Sequence, residues 1–226
     1  MKPWRRRLHR LLSDDQAPPL LTRDLLARFA RTANDGRDVP VSTLTYWIRQ
    51  ARDNEELRPV QRGLYLNRLR RRAPNVADAV PWLVPDAVVS LNTVLGDAGV
   101  LNNPVKVVTA VVPIDAGRPP PSLGRLRTGC GTFHFFGLPR RILEAGRVRD
   151  RLDTSEIWEH ARATPEKALL DWLYLGHSPR SRRTPPPRTD IDTAMLDHPR
   201  LSRLANEMNL RATLDTWLMQ AEMTQP

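Results

Sequence analysis

One cysteine, three lysines and 6% aromatic residues are what this sequence has least of, and each scarcity excludes something. The single Cys130 cannot close a disulfide within the chain, which fits a reducing cytoplasm. Arginine supplies 32 of the 35 basic residues, a bias that a GC-rich genome explains without any binding chemistry. No apolar run reaches the roughly 18 residues of a membrane span, so no membrane partner is expected. The basic start MKPWRRRLHRLLSDDQ also lacks the apolar core of a secretory signal.

Catalytic motifs are equally scarce. The chain contains no GxxxxGK[ST], no G-x-G-x-x-G and no H-E-x-x-H. His9, His134, His160, His177 and His198 are scattered without metal-ligand spacing, so neither a metal nor a cofactor is expected. Cys130 lies between Gly129 and Gly131, where a turn explains it better than a nucleophile with no paired base. The segment EIWEH reads as a polar helix face, with Ile157 and Trp158 packed beneath Glu156, Glu159 and His160. The Gly-Ser and paired-carboxylate pattern of a nucleotidyltransferase is missing too. The expectation is a protein that is not an enzyme, with no catalytic residue.

What the chain has is positive charge, and it is unevenly placed. Of the net +10, residues 1–72 carry +9 and residues 73–226 carry +1. Such asymmetry points to a polyanionic partner for the first part.

That part is built around Ser42–Asn67. STLTYWIRQARD puts Leu44, Trp47, Ile48 and Ala51 at i, i+3, i+4 and i+7, the spacing of one buried helix face. Ser42, Thr45, Tyr46, Arg49 and Gln50 then point away from it. LRPVQRGLYLN follows, two β-prone runs punctuated by Gly63. Upstream, Trp4–Leu12 predicts a first helix broken by QAPPL. Thr22 is the expected N-cap of a second, with Leu25, Leu26, Phe29 and Ala33 buried and Asn34-Asp35-Gly36 as its stop. Three helices and a hairpin in this order are the layout of a winged helix-turn-helix, which reads the DNA major groove with one helix and grips phosphate with the wing.

Roles follow from that layout. Ser42, Thr43, Thr45 and Tyr46 lie in the helix half that reaches base edges. Arg49 and Gln50 suit bidentate bonding to guanine and adenine. Arg52, Arg58 and Arg62 suit phosphate, which positions without specifying. Arg68–Asn75 (RLRRRAPN) is the exit from this domain, either a solvated linker or an arm along phosphates.

Residues 73–226 read as a mixed α+β domain. Ala87–Leu101 holds a short β-branched run and a small helix closed by Gly99. Val105–Pro113 and Gly131–Pro139 are strands, separated by the turn-rich, exposed DAGRPPPSLGRLRTGCG. ATPEKALLDWLYL is a helix with Thr164 at the N-cap, Pro165 at its first position and Glu166 at the positive end of its dipole. Lys167 and Asp171 form an i,i+4 pair, worth about 0.2–0.5 kcal/mol if exposed. A Pro/Arg-rich loop spans 178–190, and helical sequence runs from Leu196 to Met223. The expected fold class is α+β: an N-terminal winged helix-turn-helix, then a mixed α+β domain.

Several segments together resemble the AbiEi family of bacterial antitoxins. They are Arg62-Gly63-Leu64-Tyr65, then Ser90-Leu91 with Gly99-Val100-Leu101, then the run Thr164–Asp171, which matches without departure. The likeness covers roughly residues 20 to 176 and is weakest over the last 50. It implies a repressor that binds inverted repeats in double-stranded promoter DNA of its own operon. It also implies a C-terminal domain that helps neutralise a cognate nucleotidyltransferase toxin encoded beside it. Glu166, Lys167 and Asp171 are then either a fold signature or a toxin-facing surface. The alternative is a free-standing winged-helix transcriptional regulator whose second domain senses a ligand or a protein. A nucleic-acid-modifying protein with an unrecognised site is a third reading.

Overall fold

Pro3 opens the first helix at the one position where its missing N–H costs nothing. The computed structural model describes residues 2–103, 106–115, 123–179, 181 and 183–222, with 220–222 by backbone alone. They divide into two units: Met1–Ala79 with Arg127–Gly131, and Val80–Leu126 with Thr132–Pro226. The first unit thus runs on past residue 72 and takes in a short distant segment. Both units mix helices with a sheet, so the α+β class holds.

In the first unit the order is α1 (Pro3–Leu12), β1 (Leu20–Thr22), α2 (Arg23–Ala33), α3 (Val41–Asp53), β2 (Leu57–Gln61) and β3 (Leu64–Asn67). The strands form an antiparallel sheet in the order β1-β3-β2. β1 is an element that sequence periodicity does not anticipate. Thr22 caps α2 as expected, its hydroxyl accepting from Leu25 N at 3.1 Å. Pro59 sits in β2, an edge strand, where a residue without an N–H breaks no ladder bond. Gly63 takes φ +79° in the β2–β3 turn, a conformation that favours glycine. The core joins Trp4, Leu8 and Leu12 of α1 to Leu26 and Ala30 of α2, and to Leu44, Trp47 and Ile48 of α3. Leu25 and Phe29 are only half-buried against it.

Arg68–Asn75 is anchored to the first unit, while Arg68, Arg71 and Arg72 stay exposed. Arg70 is buried and donates to Asp15 O at 2.7 Å, and Arg72 N donates to Asp15 Oδ1 at 3.1 Å. Buried Asn67 ties the same region together, donating through Nδ2 to Leu12 O and Pro18 O and accepting from Leu69 N.

The second unit contains α4 (Val80–Leu83), β4 (Val88–Val89), α5 (Asn92–Asp97), β5 (Val107–Ile114), β6 (Gly124–Arg127) and β7 (Thr132–Pro139). After these come α6 (Arg140–Leu143), α7 (Val148–Arg151), α8 (Pro165–His177), α9 (His198–Glu207) and α10 (Arg211–Glu222). The sheet order is β4-β5-β7-β6, with β4–β5 antiparallel and β5–β7 parallel. β5 buries Thr109–Pro113 as a continuous run, the pattern of a strand covered on both faces. β6 lies inside the stretch expected to be turn and loop; it is short and mostly exposed, so it carries no apolar signal. Helix α8 is capped by Thr164, whose hydroxyl accepts from Lys167 N at 3.3 Å. It is buried without interruption from Glu166 to Leu173. Among the described residues no helix is long and apolar enough to cross a membrane.

Candidate nucleic-acid interface and a basic cavity

Helix α3 keeps Leu44, Trp47, Ile48 and Ala51 inside and leaves Ser42, Thr45, Tyr46 and Arg49 exposed. Thr43 and Gln50 are half-buried. The helix starts at Val41, one residue before the expected position. Its N-cap is Pro40, and no side chain caps it. Its first turn therefore has no side-chain cap, while Leu44 N donates to Pro40 O at 3.0 Å.

The exposed face is organised by residues from other helices. Arg5 of α1 donates through Nη1 to Gln50 Oε1 at 3.2 Å, and its guanidinium lies 5.7 Å from the Tyr46 ring centroid. Gln50 Nε2 donates to Tyr46 Oη at 3.2 Å. Arg49 lies over the same ring at 5.7 Å. Tyr46 is thus 47% exposed among cations rather than packed on the hairpin. Arg23 of α2 donates to Thr45 Oγ1 at 2.8 Å, while that hydroxyl donates to Val41 O. Arg5 and Arg23 carry no pattern of their own in the sequence; only the packing of α1 and α2 brings them to α3.

Arg52, Arg58 and Arg62 are exposed. Arg58 is tethered, its Nε donating to Gly129 O at 3.2 Å. Gly129 packs so closely that a Cβ there would lie 2.7 Å from Pro59 O. Neighbouring Cys130 is buried, its thiol pushed up by that burial and held 3.1 Å from the Thr128 hydroxyl.

The expectation of a partner-facing surface at Glu166, Lys167 and Asp171 does not hold: they are 3%, 2% and 1% exposed. Lys167 Nζ donates to Asp171 Oδ1, and Ser90 Oγ donates to Asp171 Oδ2 at 2.8 Å. Burial pushes the Asp171 carboxyl up, against the pull of Lys167 and Ser90. Glu166 accepts from Asp197 N at 2.9 Å and from Arg200 Nη1 at 3.3 Å, so it secures the start of α9. The estimate for an exposed pair does not apply, because a buried ion pair is dominated by desolvation. EIWEH is also corrected: 154–160 contains no helix and Ile157 is 59% exposed. Trp158 instead donates to Asp153 Oδ2 at 2.8 Å and stacks under Arg162 at 3.9 Å.

The second unit encloses a cavity of about 1060 Å³ between the sheet, α8 and the segment after it. Arg183, from the Pro/Arg-rich loop, lies 4.5 Å from the ring centroids of both Phe136 and Trp172. It donates to Asn92 Oδ1, and burial lowers its guanidinium to about 10, still cationic at neutral pH. His134 packs against Phe136 at 4.0 Å with the rings tilted by 35°, its imidazole held low by burial and by Arg183 and Arg125. The loop is pinned rather than dangling, since Thr184 O accepts from Trp172 Nε1 and Pro186 O from Trp217 Nε1. None of these residues was legible as a site, because they come from segments far apart in sequence: the start of α5, β7, α8 and the loop after it.

No family model and no curated protein matches the chain. Among solved structures it resembles the Rv2827c protein from Mycobacterium tuberculosis, with a TM-score of 0.58 and 19% identity. That match covers 98% of this chain and 78% of the other. At this identity the likeness is one of fold.

Proposed function

We propose that the first unit is a winged helix-turn-helix that binds double-stranded DNA, and that the chain is the antitoxin and autorepressor of a toxin–antitoxin operon. The observation that carries the DNA reading is the face of α3. A buried apolar stripe holds it against α1 and α2 while Ser42, Thr45, Tyr46 and Arg49 stay in water. The uncapped first turn adds N–H groups suited to a phosphate oxygen. Arg52, Arg58 and Arg62 flank it, in the part of the chain that holds nearly all the excess charge.

The antitoxin half rests on the resemblance of Ser90-Leu91, Gly99-Val100-Leu101 and Thr164–Asp171 to AbiEi proteins. Burial of Glu166, Lys167 and Asp171 makes them a fold signature, so toxin contact falls to other residues. Co-expression with the nucleotidyltransferase that this reading expects beside the gene tests it. Growth should be restored, and the protein should footprint inverted repeats upstream of its own start. Failure of rescue removes the antitoxin role; failure of the footprint removes autorepression.

The cavity favours a second reading, a transcriptional regulator that senses a small molecule. Operator affinity that changes with ligand, without any toxin present, would separate the two.

A further inference from the structure

We infer that the second-unit cavity is a binding site for a free nucleoside phosphate, an anion with a flat heteroaromatic body. Its supports lie wholly within that unit, so it stands whichever functional reading holds.

Charge is the first argument. Arg125, Arg141 and Arg183 line the cavity, and none of them forms an ion pair among the described residues. No Asp or Glu lines it there. Arg183 is also incompletely satisfied, with a buried Nε that has no hydrogen-bond partner. Uncompensated cations around a partly enclosed space repel one another, and an anion entering it relieves that repulsion. The depressed imidazole of His134, with Arg183 and Arg125 among its causes, is consistent with the same positive field.

Shape and wall chemistry narrow the anion. At about 1060 Å³ the space is far larger than an inorganic ion needs and lies at the top of the usual range for small-molecule pockets, about 300–1,000 Å³. Phosphate alone would leave Ile114, Leu123 and Phe136 facing water. Arg183 already covers the Phe136 and Trp172 ring faces, so a flat body would meet the half-buried His134 ring and the Arg183 guanidinium, both of which stack on bases without sequence preference. Ser178, Ser181 and Thr184 add hydroxyls of the kind that a sugar or a base edge can bond. A fatty acid would use the apolar wall but leave these hydroxyls and two of the three arginines idle.

The test is isothermal titration calorimetry of the full chain with ATP, UTP, adenosine and pyrophosphate. A nucleotide should bind saturably with one site per chain, and adenosine and pyrophosphate at least about tenfold more weakly, because each keeps only half of the contacts. Arg125→Ala/Arg141→Ala removes exposed side chains, and circular dichroism checks that it folds; its nucleotide affinity should fall by about tenfold or more. Arg49→Ala, in the other unit, should bind nucleotide as the unaltered chain does. No saturable nucleotide binding below about 1 mM would overturn the inference. So would wild-type affinity in the double variant, loss of binding in Arg49→Ala, or pyrophosphate binding as tightly as ATP.

Discussion

Ser90 Oγ donates a 2.8 Å hydrogen bond to Asp171 Oδ2 across 81 positions of sequence. The bond joins the loop before α5 to α8, the two segments that carry most of the resemblance to AbiEi proteins. Ser90 is held in turn by its carbonyl, which accepts from Thr109 Oγ1 of β5 at 2.6 Å. The recurring Ser-Leu and Thr-Pro-Glu-Lys-Ala-Leu-Leu-Asp runs therefore meet at a buried polar junction of helix, loop and sheet. Their residues answer to one another rather than to a partner.

Breaking that junction from one side should be costly. Asp171→Ala leaves Lys167 buried without its counter-charge, and Lys167→Met leaves Asp171 so; each should cost about 3–5 kcal/mol in urea unfolding. Lys167→Met with Asp171→Leu removes both charges and should cost clearly less than the sum. Strictly additive losses would mean that the pair does not act as a unit.

Asn67 gives a parallel case in the first unit. It is fully buried, and its side chain serves Leu12 O, Pro18 O and Leu69 N. Asn67→Leu keeps the branching but is bulkier and removes all three bonds, so it should destabilise the chain by at least about 1–3 kcal/mol. Thermal melting within a few tenths of wild type would show that water replaces the amide.

Local signals were legible in the sequence and non-local ones were not. The apolar spacing of α3 and the caps Thr22 and Thr164 involve residues within seven positions of one another, and they appear where expected. β1 has only the residues Leu20–Thr22, too few for alternation to register, and exposed β6 has no apolar face. The Lys167–Asp171 spacing is that of a surface pair; only Ser90 and the packing of α8 make it internal. Arg183 belongs to a Pro/Arg run that reads as solvated loop. Its place between Phe136 and Trp172 depends on strands and helices far away in sequence. The exposed polar face of α3 was visible in its spacing, whereas Arg5 and Arg23 joined it only through tertiary packing.

His134 should make the second unit sensitive to mild acid. Burial, Arg183 and Arg125 depress its pKa in the folded state, below the roughly 6.5 of the unfolded chain. As pH falls below about 6.5 the unfolded chain takes up this proton first, so the histidine's contribution to stability is lost as pH drops through the folded value. His134→Gln removes that contribution, and its melting temperature should fall less steeply than wild type between about pH 7 and 5. Equal slopes for the two proteins would show that other groups govern the response.

Two arginines of the first unit should separate reading from gripping. Arg49 projects from the exposed face of α3 beside Tyr46, with a guanidinium free to approach a base edge. Arg58 lies on β2, tethered at Nε to Gly129 O, which fixes its stem and suits a phosphate at a set distance. Arg49→Ala should lower affinity for the operator and relax preference at one base pair by about 1–3 kcal/mol, with little change on random duplex. Arg58→Ala should weaken every sequence alike and flatten the salt dependence by about one unit of slope. Both are measured by fluorescence anisotropy on specific and random duplexes over a salt series. If the two substitutions lower affinity equally on both duplexes, α3 does not read sequence and the first unit is a non-specific polyanion binder.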